Sequence, residues 1–331
     1  FQPNDYFNTK IYTGTGSSNA LTGVGFQPDW VWIKNRGNTE SHALFDAVRG
    51  VTKRIVSNST GAEETNANTV TAFGTDGFTV GTNAGVNGSG ISTVAWNWKA
   101  NGSGSSNTDG STASTVSVNT TAGFSIVKWT GSGSATTIGH GLGVTPKIIM
   151  LKNTSEVYGW QVYHASLGNT KYLALDSTDA EATSSESWNN TSPTSTVFSV
   201  GASDSNNKSG NTIIAYCFAE KKGFSKFGSY VGNGSTWGTF VNCGFKPALI
   251  IIKKNATDSW FMYDNKRGDI NANAKTLKAD SNGAEGTSGK EIDFLSNGVK
   301  IRNSNNSINT SGSTYIYMCF AEEPIVSSNG V

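Results

Sequence analysis

An all-β fold of three tandem antiparallel β-sandwich modules, jelly-roll-like in outline, is predicted by three features of the chain. The first is repetition: Tyr12-Thr-Gly-Thr-Gly16, Trp129-Thr-Gly-Ser-Gly133 and Tyr230-Val-Gly-Asn-Gly234 each open a block. In every block a proline then leads an apolar run that ends six residues later in lysine, Pro28 to Lys34, Pro146 to Lys152 and Pro247 to Lys253. An aromatic-rich strand closes each block around Trp96, Tyr216 or Met318. The second feature is spacing: short apolar runs separated by turn clusters every eight to twelve residues or so, about seven strands per 100 residues, are the pattern of a sandwich. The period is far longer than the roughly 20–50 residues of a solenoid. The third is composition. Charged residues are 15% of the chain, against about 25% in an average domain, and Gly, Ser, Thr and Asn dominate.

The first module is expected over residues 1–100, with strands near 30–34, 43–45, 54–57, 78–80 and 94–98. Turn clusters such as Asn35-Arg-Gly-Asn38 and Gly74-Thr-Asp-Gly77 separate them. The proline-led runs are apolar throughout, as a strand covered on both faces must be. Residues 101–122 read as a flexible Gly/Ser/Thr-rich linker, with Val116 and Val118 suited to one short edge strand. The second module is placed at 123–222 and the third at 223–331. Glu220-Lys-Lys-Gly-Phe224 passes directly between those two. Modules two and three are therefore expected to be held rigidly while the first swings.

Net charge is +1, with no basic stripe, which argues against nucleic acid as a partner. The longest apolar runs, such as Ala248 to Ile252, are strand-length, which argues against membrane insertion. The chain opens on Phe1, so its natural start is read either as cleaved or as lying in a longer polypeptide. Cys217 and Cys319 occupy equivalent positions, held by Asn97 in the first module, so they should not pair; Cys243 lies in a turn, also without an expected partner. Buried small hydrophobes are the expectation.

The alignment extends into loops. Asp46 and Arg49 correspond to Asp264 and Arg267, whereas the middle module has His164 and Leu167 there. A glutamate follows in all three, as Glu63, Glu181 and Glu285. The third module carries four extra residues near 270–273 before its glutamate. Asp46, Arg49 and Glu63, with Asp264, Arg267 and Glu285, are read as structural loop pairs. Loss of Asp and Arg together in the middle module favours a paired structural role over a thrice-used site. Two carboxylates per module meet the minimum for glycoside hydrolysis, and a polysaccharide-degrading enzyme is kept as the alternative. His42, His140 and His164 lack zinc-ligand spacing, and no nucleophile elbow, phosphate loop or EF-hand occurs. No catalytic residue, metal or cofactor is assigned. Tyr158, Trp188 and Trp237 sit in polar, loop-like contexts and are the candidates for receptor contact, since an aromatic face can stack on a sugar.

Several stretches are distinctive enough to carry a likeness: Leu295-Ser-Asn-Gly-Val-Lys-Ile-Arg302, Gly223-Phe-Ser-Lys-Phe-Gly-Ser-Tyr-Val-Gly-Asn-Gly234 and Phe26-Gln-Pro-Asp-Trp-Val-Trp-Ile-Lys34. With them the chain resembles a repeat in tail-fibre and related virion proteins of marine bacteriophages, a family of uncertain function. The resemblance covers essentially the whole chain and carries over no site residues. It implies a host-contacting virion surface component. With the triplicated sandwich, weak charge and lack of a catalytic constellation, the leading expectation is a non-enzymatic tail-fibre or spike component with other virion proteins and a host glycan or protein as partners. A capsid decoration or a cellular extracellular filament or surface-layer subunit are further alternatives. Fibres are commonly trimeric, so a homotrimer is one expectation; three modules in one chain standing in for a trimer is the other.

Overall fold

In a computed structural model, which describes residues 1–323, the fold is all-β and every extended strand ladder is antiparallel. The α-helices among the described residues are single turns, Ala84–Asn87, Asp204–Asn207 and Asn306–Asn309. The large sheet of the first repeat runs in the order Phe7–Thr13, Ser92–Trp98, Trp30–Asn35, Ala43–Asp46. The same order recurs as Phe124–Thr130, Thr212–Phe218, Ile148–Asn153, Gln161–His164 in the second repeat. In the third it is Ser225–Val231, Thr314–Phe320, Leu249–Lys254, Trp260–Asp264, with Leu277–Lys278 added at the edge. Each repeat also has a smaller sheet, built on Gly77–Val80, Val197–Val200 and Gly298–Ile301.

Strand periodicity explains why the proline-led runs are apolar throughout. Trp30 and Trp32 join a cluster shared by all three repeats, while Val31 and Ile33 join one made by the first repeat alone. Ile148 and Met150 alternate with Ile149 and Leu151 in the same way, as do Leu249 and Ile251 with Ile250 and Ile252. One face of each large sheet therefore packs against its own repeat and the other against the neighbours. In the shared core the equivalent rings Trp98, Phe218 and Phe320 meet, with centroids 6.4 Å, 5.5 Å and 5.5 Å apart. Burying each such side chain stabilises by about 1.5–3 kcal/mol.

This shared core corrects the expectation of a swinging first module. Phe7, Trp30 and Trp98 lie in one cluster with Phe218 and Phe320, so the first repeat is locked against both others. The stretch 101–122 is likewise no loose linker. It forms Ser105–Asn107 and Ser114–Asn119, which extend the second repeat's large sheet. Val116 packs into that repeat's cluster and Ala122 into the shared one, so the segment buries more than its polar composition suggests.

The opening motif closes one end of each repeat. The amides of Gly14, Gly131 and Gly232 donate to Ile91, Asn211 and Ser313 carbonyls at 2.8–2.9 Å. A Cβ on Gly14 would stand 2.1 Å from the Gly88 oxygen, so only glycine fits. A buried asparagine completes the motif: Asn87, Asn207 and Asn309 each accept from the residue between the two glycines, at 2.9, 3.0 and 2.9 Å. Their amides donate onward to Ser17, Ser134 and Ser235 carbonyls. The buried asparagine thereby satisfies the backbone groups of the turn and its own amide together.

Candidate functional site

Asp46 and Arg49 lie where the first repeat meets the second. One Asp46 oxygen accepts from the amides of Val48 (3.1 Å) and Arg49 (2.8 Å). The other accepts from Arg49 Nε and from the Tyr216 hydroxyl at 2.7 Å. Four donors fill the four lone-pair sites of a carboxylate. Asp264 repeats the arrangement where the third repeat meets the first, with Lys266 and Arg267 amides, Arg267 Nε and Trp96 Nε1 at 2.9 Å. Both carboxylates are fully buried. Arg49 reaches Glu63 at 3.2 Å, and Arg267 reaches Glu285 at 3.0 Å. Glu285 is also clasped by Arg36 of the first repeat, at 2.8 and 2.9 Å. Although burial opposes its charge, the Asp46 carboxylate holds Arg49 above the ordinary arginine range.

Between the second and third repeats the chemistry changes. The position of Trp96 and Tyr216 is taken by Met318, which has no hydrogen to give. His164 stands in place of the aspartate; its Nδ1 accepts from Ser166 N at 3.1 Å and its Nε2 donates to the Tyr317 carbonyl at 3.1 Å. The glutamate amides still mark every boundary: Glu63 to Thr154 O, Glu181 to Asn255 O and Glu285 to Arg36 O, at 2.8, 2.7 and 2.9 Å. A ring N–H crosses each boundary too. Trp160 donates to Val56 O (2.9 Å), Trp260 to Ala174 O (2.8 Å) and His42 to Lys278 O (2.9 Å). The contacts form a closed cycle around the three repeats.

The lysines that end the proline-led runs, Lys34, Lys152 and Lys253, are buried. Their ammonium groups donate to backbone carbonyls, those of Asn38 (3.2 Å), Thr60 (2.9 Å) and Ala256 (2.9 Å) among them. Burial pushes each down to about 8. The constant six-residue interval was the signal for these residues, but sequence reasoning assigned them no role.

The three receptor-contact candidates separate sharply. Trp188 was expected at the surface and is buried, at 1% exposure. Its indole donates to Lys171 O at 3.0 Å and packs edge-on against Tyr163, so its polar sequence neighbours misled. Tyr158 is half-buried, with its hydroxyl donating to Asp204 at 3.2 Å and Lys208 over its ring. Trp237 is 70% exposed. It lies on two extra residues: the second glycine to the strand residue is seven positions for Gly234–Val241, and five for Gly16–Leu21 and Gly133–Ile138. Arg302 supports its ring, with 5.0 Å from guanidinium to centroid, and Asp293 holds Arg302. Asp293 also accepts from the amide of Ala272 at 2.7 Å, so the four-residue insertion near 270–273 is tied to the same face. Val231 and Phe240 are exposed close by in sequence. Arg302 and Asp293 went unnoticed because neither recurs in the other repeats.

Among the described residues no group of three or more His, Cys, Asp or Glu side chains is placed to hold a metal, and no helix is long and apolar enough to cross a membrane. Cys243, expected to be solitary, has its sulfur 3.3 Å from that of Cys319, because the turn after Phe240–Asn242 folds over the central strand of the same repeat. Residues 2–324 match the family described as a domain of unknown function, DUF7483, and the chain belongs to that family. No curated protein and no solved structure matches it.

Proposed function

We propose that the chain is a non-enzymatic structural component of a virion, a tail-fibre or spike element. In this reading it is built as three tandem antiparallel sandwiches, jelly-roll-like units that share a core, and it touches the host surface through the third. The observation that carries the contact is Trp237: one face of the ring rests on Arg302, the other is open, and the residue belongs to an insertion the other repeats lack. An aromatic face braced this way suits the apolar face of a sugar ring, so a host glycan is the chosen partner. Asp46 and Asp264, one carboxylate of each pair considered for hydrolysis, are fully buried and have every lone pair engaged, which supports an architectural role over a degrading one. Purified protein is expected to bind host cells and their surface polysaccharide, and Trp237→Ala to lose at least tenfold in affinity. Equal binding by both proteins would remove Trp237 from the reading. Polysaccharide fragments after incubation, lost in Asp264→Asn and Glu285→Gln, would replace it with the enzyme.

A further inference from the structure

The sulfurs of Cys243 and Cys319 are 3.3 Å apart, in the cluster that belongs to the third repeat. Cys217 lies in the second repeat's own cluster instead. At the position of Cys243 the other repeats carry Val24 and His140, so the pairing is peculiar to the third. Cys319 is fully buried in the strand Thr314–Phe320, whereas Cys243 is 6% exposed. Cys243 also lines an open surface depression with Lys222, Lys226 and Glu220. Cys243, unlike Cys319, therefore borders a depression that a small reagent can enter.

We infer that Cys243 and Cys319 form an oxidisable pair that closes to a disulfide, stapling the smaller sheet of the third repeat to its central strand. The oxidant is a low-molecular-weight disulfide such as oxidised glutathione. The Cys243 thiolate attacks one sulfur of the oxidant and releases one glutathione thiolate, leaving a mixed disulfide. The Cys319 thiolate then attacks the Cys243 sulfur and releases the second. Two protein thiols become one S–S bond, the oxidant is reduced to two thiols, and the two protons end on those thiols. Closure links positions 243 and 319, a long loop, and the entropy removed from the unfolded chain grows with loop length. It also fixes the end of Phe240–Asn242, the strand that follows the Trp237 insertion. The staple is independent of whether that surface binds a host.

The test is to unfold the protein, refold it in a glutathione redox couple, and alkylate remaining thiols under denaturing conditions before mass mapping. One alkylated cysteine, Cys217, and a linked Cys243–Cys319 peptide are expected. Adding reductant should lower Tm by roughly 5 °C or more. Cys243→Val, which installs the residue of the first repeat, should show no link and a Tm indifferent to reductant. Cys217→Ala should keep both effects. Three alkylated thiols after refolding, a stable glutathione adduct on Cys243, or a link that includes Cys217 would overturn the inference.

Discussion

The hydroxyl of Tyr216 donates to Asp46 at 2.7 Å across the boundary of the first and second repeats, just as Trp96 serves Asp264 between the third and first. At the remaining boundary the neighbour is Met318, and Asp and Arg are both replaced, by His164 and Leu167. The acid and its arginine occur where the adjoining strand supplies a donor. Tyr216→Phe should leave one buried Asp46 oxygen short of a partner and cost about 1–3 kcal/mol. Asp46→Ala, which leaves the buried Arg49 with Glu63 as its remaining acid, should cost about 3–5 kcal/mol. Urea denaturation of both single variants and the double variant measures the coupling. Additive losses would show that the two side chains do not act as a unit.

Acid should weaken the fold before ordinary carboxylates titrate. His42 accepts from Trp32 Nε1 at 2.8 Å through Nδ1, and His164 accepts from Ser166 N in the same way, so a proton on either ring would oppose an existing N–H. Burial lowers His42 from 6.5 to about 3 and His164 to about 4. Because both folded values lie below the unfolded one, the unfolded chain binds more protons in between. Stability is then lost as pH falls from 6.5 through these values, by up to about 1.4 kcal/mol per group per pH unit. Calorimetry from pH 7 to 4 checks this. His164→Gln, which keeps a donor and an acceptor, should flatten the slope.

Alkali should act in the opposite direction, and then reverse. Lys34, Lys152 and Lys253 are pushed by burial from 10.5 to about 8, so the folded state sheds protons first and stability rises as pH climbs above 8. Burial raises Tyr12, Tyr216 and Tyr230 above their ordinary 10, so beyond pH 10 the unfolded chain ionises first and stability falls. A stability maximum between about pH 9 and 10 is expected from urea midpoints. A monotonic fall from pH 8 would show that the three buried lysines do not raise stability in this range.

Two tryptophans with similar polar neighbours should respond differently to truncation. Trp188→Ala opens a cavity in the second repeat's cluster and should cost about 3–5 kcal/mol. Trp237→Ala, at a 70% exposed residue, should fall within about 0.5 kcal/mol of the parent. Thermal melts of the two variants decide it.

The strands were legible because alternation and turn residues act locally. Pro28, Pro146 and Pro247 each precede a run whose odd and even members face different cores, and an unbroken apolar run announces two covered faces without saying what covers the second. The partner of Asp46 lies 170 positions away at Tyr216, and nothing local encodes that meeting. The triple recurrence held the clue, since the exchange of Asp and Arg in the middle block coincides with methionine in the next block's last strand. Trp188 failed for a related reason: polar neighbours describe the chain around a ring, not the direction in which the ring points.

Cooperativity follows from the same second face. Trp30, Trp32, Trp96 and Trp98 all belong to the shared core; Trp30 stacks on Tyr216 with centroids 4.3 Å apart and Trp98 packs on Phe320 at 5.5 Å. A 1–100 fragment would present these indoles to water, a contiguous apolar face that soluble monomers rarely tolerate. The excised fragment should therefore aggregate or lack fixed near-ultraviolet ellipticity, while the intact chain melts in one calorimetric transition. Separate transitions, or a well-folded fragment, would mean that each repeat is sufficient alone. The three boundaries would then contribute little beyond tethering, and the cycle of Asp46, His164 and Asp264 contacts would be incidental to stability.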